Sequence, residues 1–375
     1  MALLPVWYAE DGDYVCEGMN LFHIGADGPL PVMERAEGSL PPLHGEPWGL
    51  SPAACRFFGK LQARHPQIQA PQWDANCAVL AGRKTAASCL QKIREACGDK
   101  KLPEMPRFFS SPEEALAYLR EKPGAYLLKT PYSSSGRGLL SVNGAPSPKD
   151  EQWMRGAFAR QKALSVEQRL ERVLDFALEY KSDGRGGLEE EGLSLFRTSS
   201  NGAYRGNILQ TQDKLREQLR PYLEPSYLKR MSEILRQALA DTYAHLYAGP
   251  LGLDLLVYKD AGGNFRLHPC VEVNLRRTMG HLALRLQERL APGSEGLFQI
   301  LYHKQAGEAL NWASRMKEEA PLRLRGGRPA SGCLFLTPIN ASTCYTASVQ
   351  IFTGFPASGG GREFFHDAPQ RWGRL

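Results

Sequence analysis

Apolar positions along this chain follow two periods, and the switches between them divide it into blocks. Residues 1–80 have little periodicity and much Pro and Gly, with one helix predicted over 52–64 and a short buried strand over 77–81. An amphipathic helix is predicted from Thr85 to Cys97. Ser111, Pro112 and Glu114 then make a helix start, with Ser111 as cap and Glu114 closing a capping box. That helix ends near Glu121, before Pro123 and Gly124. Strands are predicted over 125–129 and 139–142, around a loop of hydroxyls and glycines from Thr130 to Gly138. A helix over 148–163 leads into a short strand, 164–167. Residues 169–181 fit a helical period, with a pair of strands as the alternative. Strands over 192–196 and 203–209 flank Asn201 and Gly202, a hairpin turn pair. Leu228, Met231, Leu235, Ala238, Thr242 and Leu246 recur at steps of three and four, which predicts one long helix. Strands over 253–258 and 265–274 come next, then a helix over 281–289 and strands over 333–336 and 345–352.

The pair 253–258 and 265–274 carries the densest candidate chemistry. Between them, residues 259–264 contain Asp, Gly, Gly and Asn, which is turn chemistry. On the second strand a period of two puts Leu267, Pro269, Val271 and Val273 on one face. Arg266, His268, Cys270, Glu272 and Asn274 fall on the other. A hairpin folded about Gly262 and Gly263 brings Asp254 opposite Glu272. Two carboxylates and an amide oxygen then share one patch, with Arg276 and Arg277 beside it. Hard oxygen donors suit Mg²⁺, which binds through one or two carboxylates together with phosphate oxygens, and arginines suit the same phosphates. The plainer reading is a solvated sheet face with arginine partners.

Upstream, Lys129 closes the strand that enters the loop Ser133-Ser134-Ser135-Gly136-Arg137-Gly138. Glycines admit backbone N–H groups to an anion, hydroxyls donate further, and Lys adds a point charge. The plainer reading is a flexible tip with an incidental Lys. Residues 81–85, Ala-Gly-Arg-Lys-Thr, fail as a Walker A loop because no Gly directly precedes Lys84.

Composition narrows the class. The 375 residues, 42% hydrophobic, suffice for two or three cored domains. The net charge of +6 suits anionic small molecules at least as well as nucleic acid. The basic run 322–328 reads as a solvated loop rather than a polynucleotide contact. Eight cysteines without metal spacing point to reduced thiols in the cytoplasm. No apolar run has the length of a membrane span, and the opening residues lack a signal-peptide pattern. Cys270 reads as a buried structural thiol rather than a nucleophile, and His268 as a packing residue or a support behind the site.

Taken together, these pieces resemble the ATP-grasp superfamily over residues 84–279. The resemblance rests on ordered co-occurrence: Lys84, Lys129, the loop 133–138, Glu167, Asp254, and Glu272-Val-Asn274-Leu-Arg276. It implies an α+β ATP-grasp fold in which two α/β subdomains clasp the nucleotide, with an N-terminal accessory domain and a C-terminal extension. The expected boundaries are 1–103, 104–164 for the lid, 165–300 for the metal-bearing subdomain, and 301–375. An antiparallel sheet over 165–275 would turn 169–181 into strand, turn and strand.

The resemblance also implies roles. Lys84 and Lys129 would contact the α- and β-phosphates, and Ser133, Ser134, Ser135, Gly136 and Gly138 would fold over the β/γ end. Residues 164–167, Val166 and Glu167 among them, would bind adenine or ribose, with Glu171 and Asp175 open as alternative hinge carboxylates. Asp254, Glu272 and Asn274 would hold two magnesium ions, with Mn²⁺ as a substitute. Arg276 would sit on the γ-phosphate, Arg277 being a spare. The implied activity is ligation of a carboxylate to an amine through an acyl phosphate, with release of ADP and phosphate. A nucleotide-binding regulator without catalysis, a carboxylate kinase and, last, a nucleic-acid binder remain alternatives. Substrates are expected to be small molecules, an amino acid or peptide among the candidates, with Arg197, Tyr204 and Arg205 as candidate anion grips. No nucleic acid or membrane partner is expected, and a homodimer is the default assembly.

Overall fold

In the computed structural model, which describes residues 2–25, 28, 30–99, 101–133, 138–198 and 204–353, the strand and helix signals sort into two principal sheets that face each other. The smaller is four-stranded and antiparallel, in the order Arg107–Phe109, Leu164–Gln168, Gly124–Lys129, Leu139–Gly144. Helices Pro112–Glu121 and Pro148–Gln161 cover one of its faces. Ser111 accepts from Glu114 N at the first helix, and Ser147 with Asp150 forms a capping box at the second. Leu116, Leu119, Leu128, Met154, Phe158 and Leu164 close this core.

The larger sheet has nine antiparallel strands. Its order is Phe265–Asn274, Ala248–Lys259, Glu171–Asp183, Leu188–Thr198, Tyr204–Leu209, Ser294–Tyr302, Tyr345–Thr353, Arg328–Phe335, Arg323–Arg325. Helices Arg83–Cys97 and Pro225–Leu239 pack on one face through Cys89, Leu90, Ile93, Met231 and Leu235. Helix Met279–Arg289 and the segment around Leu3 to Ala9 pack on the other. A three-stranded sheet, Tyr14–Glu17, Asn20–Gly25 and Val32–Arg35, and helix Pro52–Arg64 complete the N-terminal part. No helix among the described residues is long and apolar enough to cross a membrane, and all eight cysteines are free.

Several expectations change. Residues 169–181 do not form strand, turn and strand: Glu171–Asp183 is one thirteen-residue strand with a register shift after Arg172. Leu174, Phe176, Leu178 and Tyr180 alternate toward the helices, but Ala177 and Glu179 are also buried on the far face. Burial on both faces hides the period of two. Residues 77–81 are not a strand, because Asp74 caps helix Ala75–Leu80 through Asn76 N. The long helix ends at Leu239 in a π-turn, Ala240–Ala244, where Thr242 Oγ1 donates to Ala238 O at 2.6 Å, and Leu246 is left exposed. The expected lid boundary at 164/165 falls inside strand Leu164–Gln168, which belongs wholly to the smaller sheet. Strands of the expected C-terminal extension are continuous with the larger sheet. The Asn201-Gly202 turn lies outside the described residues.

Phe176 has no exposed surface and lies at the centre of the larger sheet's core. Phe176→Ala is expected to lower unfolding free energy by about 3–5 kcal/mol in urea denaturation, with the transition still cooperative.

Candidate active site

The hairpin folds as its turn residues dictate. Asp260 Oδ1 accepts from Gly262 N and Asn264 N, each at 2.9 Å, while Arg266 Nε donates to Oδ2 at 2.8 Å. In the register so fixed, Asp254 pairs with Glu272 and Gly252 with Asn274. A bulge follows between Asp254 and Leu256, and it breaks the expected alternation of faces. Cys270 joins the same core as Leu267 and Val273, its Sγ contacting Ala86 O at 3.6 Å, and it also borders the cavity that Glu272 lines.

Side-by-side carboxylates in a partly buried sheet repel. Burial first, then Glu272 and Glu179, push the Asp254 carboxyl well above the usual carboxylate range, against the pull of Arg276 and Asn274. Arg276 Nη2 donates to Asn274 Oδ1 at 2.8 Å. Among the described residues no three His, Cys, Asp or Glu side chains converge as a metal cluster. The donor set is instead two carboxylates and one amide. Hard oxygens, mutual carboxylate repulsion and a guanidinium already drawn to Asn274 all fit a cation such as Mg²⁺ held jointly with a ligand's oxygens.

The smaller sheet faces this patch with Lys129, which is buried and has its Nζ 2.6 Å from Glu167 Oε2. After Lys129, Thr130 N donates to Gly138 O at 3.0 Å, and Gln161 holds Tyr132 by both its N and O at 2.9 Å. Gly138 has φ +76°, and a Cβ there would stand 2.3 Å from Thr130 Oγ1, so only glycine closes the loop this tightly. Ser134, Ser135, Gly136 and Arg137 lie outside the described residues. Ser133 accepts from Arg83 Nη2 at 2.8 Å, and the same nitrogen is 3.4 Å from Glu272 Oε1. One guanidinium thus joins the loop of one sheet to one carboxylate of the other, Glu272. Between them a cavity of about 20 Å³, room for one water, is lined by Arg83, Ala86, Phe108, Glu167, His268 and Glu272.

Other expected residues stand apart. Lys84 is exposed at the rim, its Nζ 5.9 Å from the centre of the Phe108 ring, and is not drawn to the carboxylates. Arg83, one residue earlier, takes the inward position that Lys84 was expected to fill. Val166 is a core residue of the smaller sheet, and strand Arg107–Phe109 ends opposite it, which leaves Glu167 at the crevice. Glu171 is exposed, 3.9 Å from Lys259, and Asp175 is engaged by Arg172 and Thr198 at 2.5 and 2.9 Å. Of the three hinge candidates, Glu167 alone lines the cavity. Arg277 turns away to Glu46 at 2.8 Å and to the Tyr8 ring at 4.3 Å. Arg205 is exposed, whereas Tyr204 is turned to Asn207. His268 is buried beside the cavity: burial, then Lys129, push its imidazole down to about 4.

Glu179 was not singled out from the sequence. It lies on the carboxylate face, opposite Gly252, with 1% exposure. Thr278 Oγ1 donates to it at 2.8 Å and Ser194 Oγ at 3.0 Å, and His281 Nδ1 lies 3.1 Å away. A Cβ at Gly280 would stand 1.7 Å from Glu179 Oε1, so helix Met279–Arg289 can start here only with glycine. Burial, reinforced by Glu191, pushes the Glu179 carboxyl up to about 7, against Thr278, Ser194 and Arg276. The only trace in the sequence is a lone acid within an apolar run.

A carboxyl raised in the fold favours folding below its unfolded value, near 4.5, and that contribution is lost as pH rises through about 7. Relative to the natural chain, Glu179→Gln should therefore gain stability between pH 4.5 and 7 and hold that gain above it. Denaturant unfolding at fixed pH steps measures the difference, expected on the order of 1–3 kcal/mol across the window.

No protein-family model matches the chain, and no curated protein matches it. Among solved structures it is similar to N5-carboxyaminoimidazole synthetase from Staphylococcus aureus complexed with ADP, at 14% identity over 84% of this chain and 77% of that one, with TM-score 0.47. It is similar to a biotin carboxylase–β-γ-ATP complex from Campylobacter jejuni, at 12% identity over 81% and 70%, with TM-score 0.48. It is also similar to an L-amino acid ligase from Bacillus licheniformis, at 15% identity over 81% and 74%, with TM-score 0.45.

Proposed function

We propose that the chain is an ATP-dependent ligase of the ATP-grasp kind, joining a carboxylate to an amine through an acyl phosphate and releasing ADP and phosphate. The observation that carries this reading is the meeting of two sheets at one point. Arg83 Nη2 touches both Ser133, in the hydroxyl and glycine loop, and Glu272, in the carboxylate pair. Phosphate-cradling and metal-holding chemistry thus converge in one crevice, with Lys129 and Glu167 beside it.

The chain's own groups fit the steps. Glu167, at the uncovered flank of its strand, is suited to the adenosine end. Lys129, leaving Glu167, supplies charge to the phosphates, and the loop from Ser133 to Gly138 closes over them. Asp254, Glu272 and Asn274 are the residues that would hold Mg²⁺, which supplies neutralisation of phosphate charge. Arg276, released from Asn274 Oδ1, reaches toward the transferred phosphoryl group. A substrate carboxylate oxygen attacks the γ-phosphorus, the bond to the β,γ-bridging oxygen breaks, and ADP leaves with that electron pair. The amine then attacks the acyl carbon, phosphate departs, and the amine's proton passes to solvent. Such transfer depends on positioning and charge rather than on a protein nucleophile, so neither Cys270 nor His268 is needed as one. Eight free thiols suit a reducing compartment such as the cytoplasm.

Calorimetry with Mg-ATP tests the reading. Micromolar, magnesium-dependent binding is expected for the natural chain, weakened about a hundredfold in Lys129→Ala and in the double variant Glu272→Ala/Asn274→Ala. ADP release that requires an added amino acid or peptide pair would identify a ligase. Release with the carboxylate alone would identify a kinase. A folded sample with no binding at millimolar ATP would leave the carboxylates as a solvated sheet face.

A further inference from the structure

Arg83 has the most contested surroundings of any cation at the crevice. Its side chain is 10% exposed, Nε donates to Thr130 O at 2.9 Å, and Nη2 donates to Ser133 Oγ at 2.8 Å. Its backbone N also donates to Pro131 O at 3.4 Å, so the start of helix Arg83–Cys97 is tied to the loop at several points. These partners are all neutral. Among the described residues, Glu272 is the one carboxylate with which Arg83 forms an ion pair.

Glu272 faces two demands. It stands opposite Asp254 in the sheet, where the two carboxylates repel; Arg276 offsets the charge at Asp254, and Arg83 supplies the positive charge at Glu272. A divalent cation at Asp254, Glu272 and Asn274 would take over that duty and repel the guanidinium. Arg83 would then be a largely dehydrated cation with neutral partners only, a costly arrangement. An anionic phosphate oxygen arriving with the metal removes the cost, and the planar fork of arginine matches phosphate geometry.

We propose that Arg83, in the inward position where a phosphate-binding cation is expected, is held in reserve on Glu272 and thereby makes metal and nucleotide bind as a unit. This role rests on the metal–nucleotide reading given above. Before binding, Arg83 substitutes for the metal ion at Glu272. On binding, it exchanges that carboxylate for a phosphate oxygen while Thr130 and Ser133 keep it tied to the loop. Metal alone is disfavoured because it strands the arginine. Lys84 lacks this coupling because it sits exposed over Phe108.

Mn²⁺, followed by electron paramagnetic resonance, is the probe for metal alone, and calorimetry with Mg-ATP reports the complete ligand. The natural chain is compared with Arg83→Gln and Arg83→Lys, each checked for an unchanged thermal transition. Arg83→Gln is expected to bind Mn²⁺ alone about tenfold more tightly and Mg-ATP about tenfold more weakly than the natural chain. Arg83→Lys, which keeps the charge without the fork, is expected to retain weak Mn²⁺ binding and recover part of the Mg-ATP affinity. An arginine that only anchors the loop would shift both affinities in the same direction or neither. Mg-ATP binding by the natural chain, with Mn²⁺ affinity unchanged or weaker in Arg83→Gln, overturns this role alone. A natural chain that binds no Mg-ATP overturns the nucleotide reading and this role with it.

Discussion

Two acidic side chains held opposite each other in a sheet set the terms for everything around them. The register of Ala248–Lys259 against Phe265–Asn274 sets Asp254 opposite Glu272, and burial removes much of the water that would screen Asp254. Positive charge has to come from nearby. Arg276 supplies it from the end of the same strand, and Arg83 supplies it across the crevice from the start of a helix. The N-terminal part contributes as well: Gly49 bridges to Arg276, and Trp48 O accepts from Arg277 N at 3.1 Å. Glu46 and Tyr8 draw the Arg277 side chain outward, leaving Arg276 to face the acids. The carboxylate pair is thus a local instability that three separate segments of chain converge to balance.

Much of this was legible before any coordinates. The hairpin register followed from a period of two and an Asp-Gly-Gly-Asn turn, both local, so Asp254 opposite Glu272 needed no tertiary knowledge. Lys129 was legible because a strand ended there and a hydroxyl-rich loop began. What failed was whatever depends on a second layer of packing. Strand Glu171–Asp183 is buried on both faces, and its residues mimic a helical period. The bulge after Asp254 interrupts the alternation of faces, and no residue pattern announces a bulge of that kind. Arg83 and Lys84 differ by one position, about 100° around a helix. Which of them faces the acids depends on where the helix begins, and helix starts are the least certain feature of a sequence reading. Glu179 was hidden for a different reason: its significance comes from Gly252 and Gly280 making room for it, residues 73 and 101 positions away in the chain.

The two sheets also differ in how they are held. The smaller sheet has its own core beneath two capped helices and meets the larger one at few polar points, chiefly Arg83 and the crevice residues. Polar contacts of this kind exchange partners readily, whereas interdigitated cores do not. The arrangement gives the loop-bearing unit a rigid body and an adjustable seam. The position of Lys129 on the last residue of a core strand carries that rigidity directly to the crevice.

Strand order carries a further consequence, for the order in which the molecule can assemble. Tyr345–Thr353 lies between Ser294–Tyr302 and Arg328–Phe335, both made before it. A chain emerging from the ribosome therefore carries a six-strand sheet with an open edge, closed only after some fifty further residues arrive to supply the missing strand. Until then Phe298 lacks the Val349 and Ile351 that pack with it. The half of the molecule that holds the acids can form early, while its neighbour waits with an exposed edge suited to recognition by a chaperone or to pairing with another nascent copy.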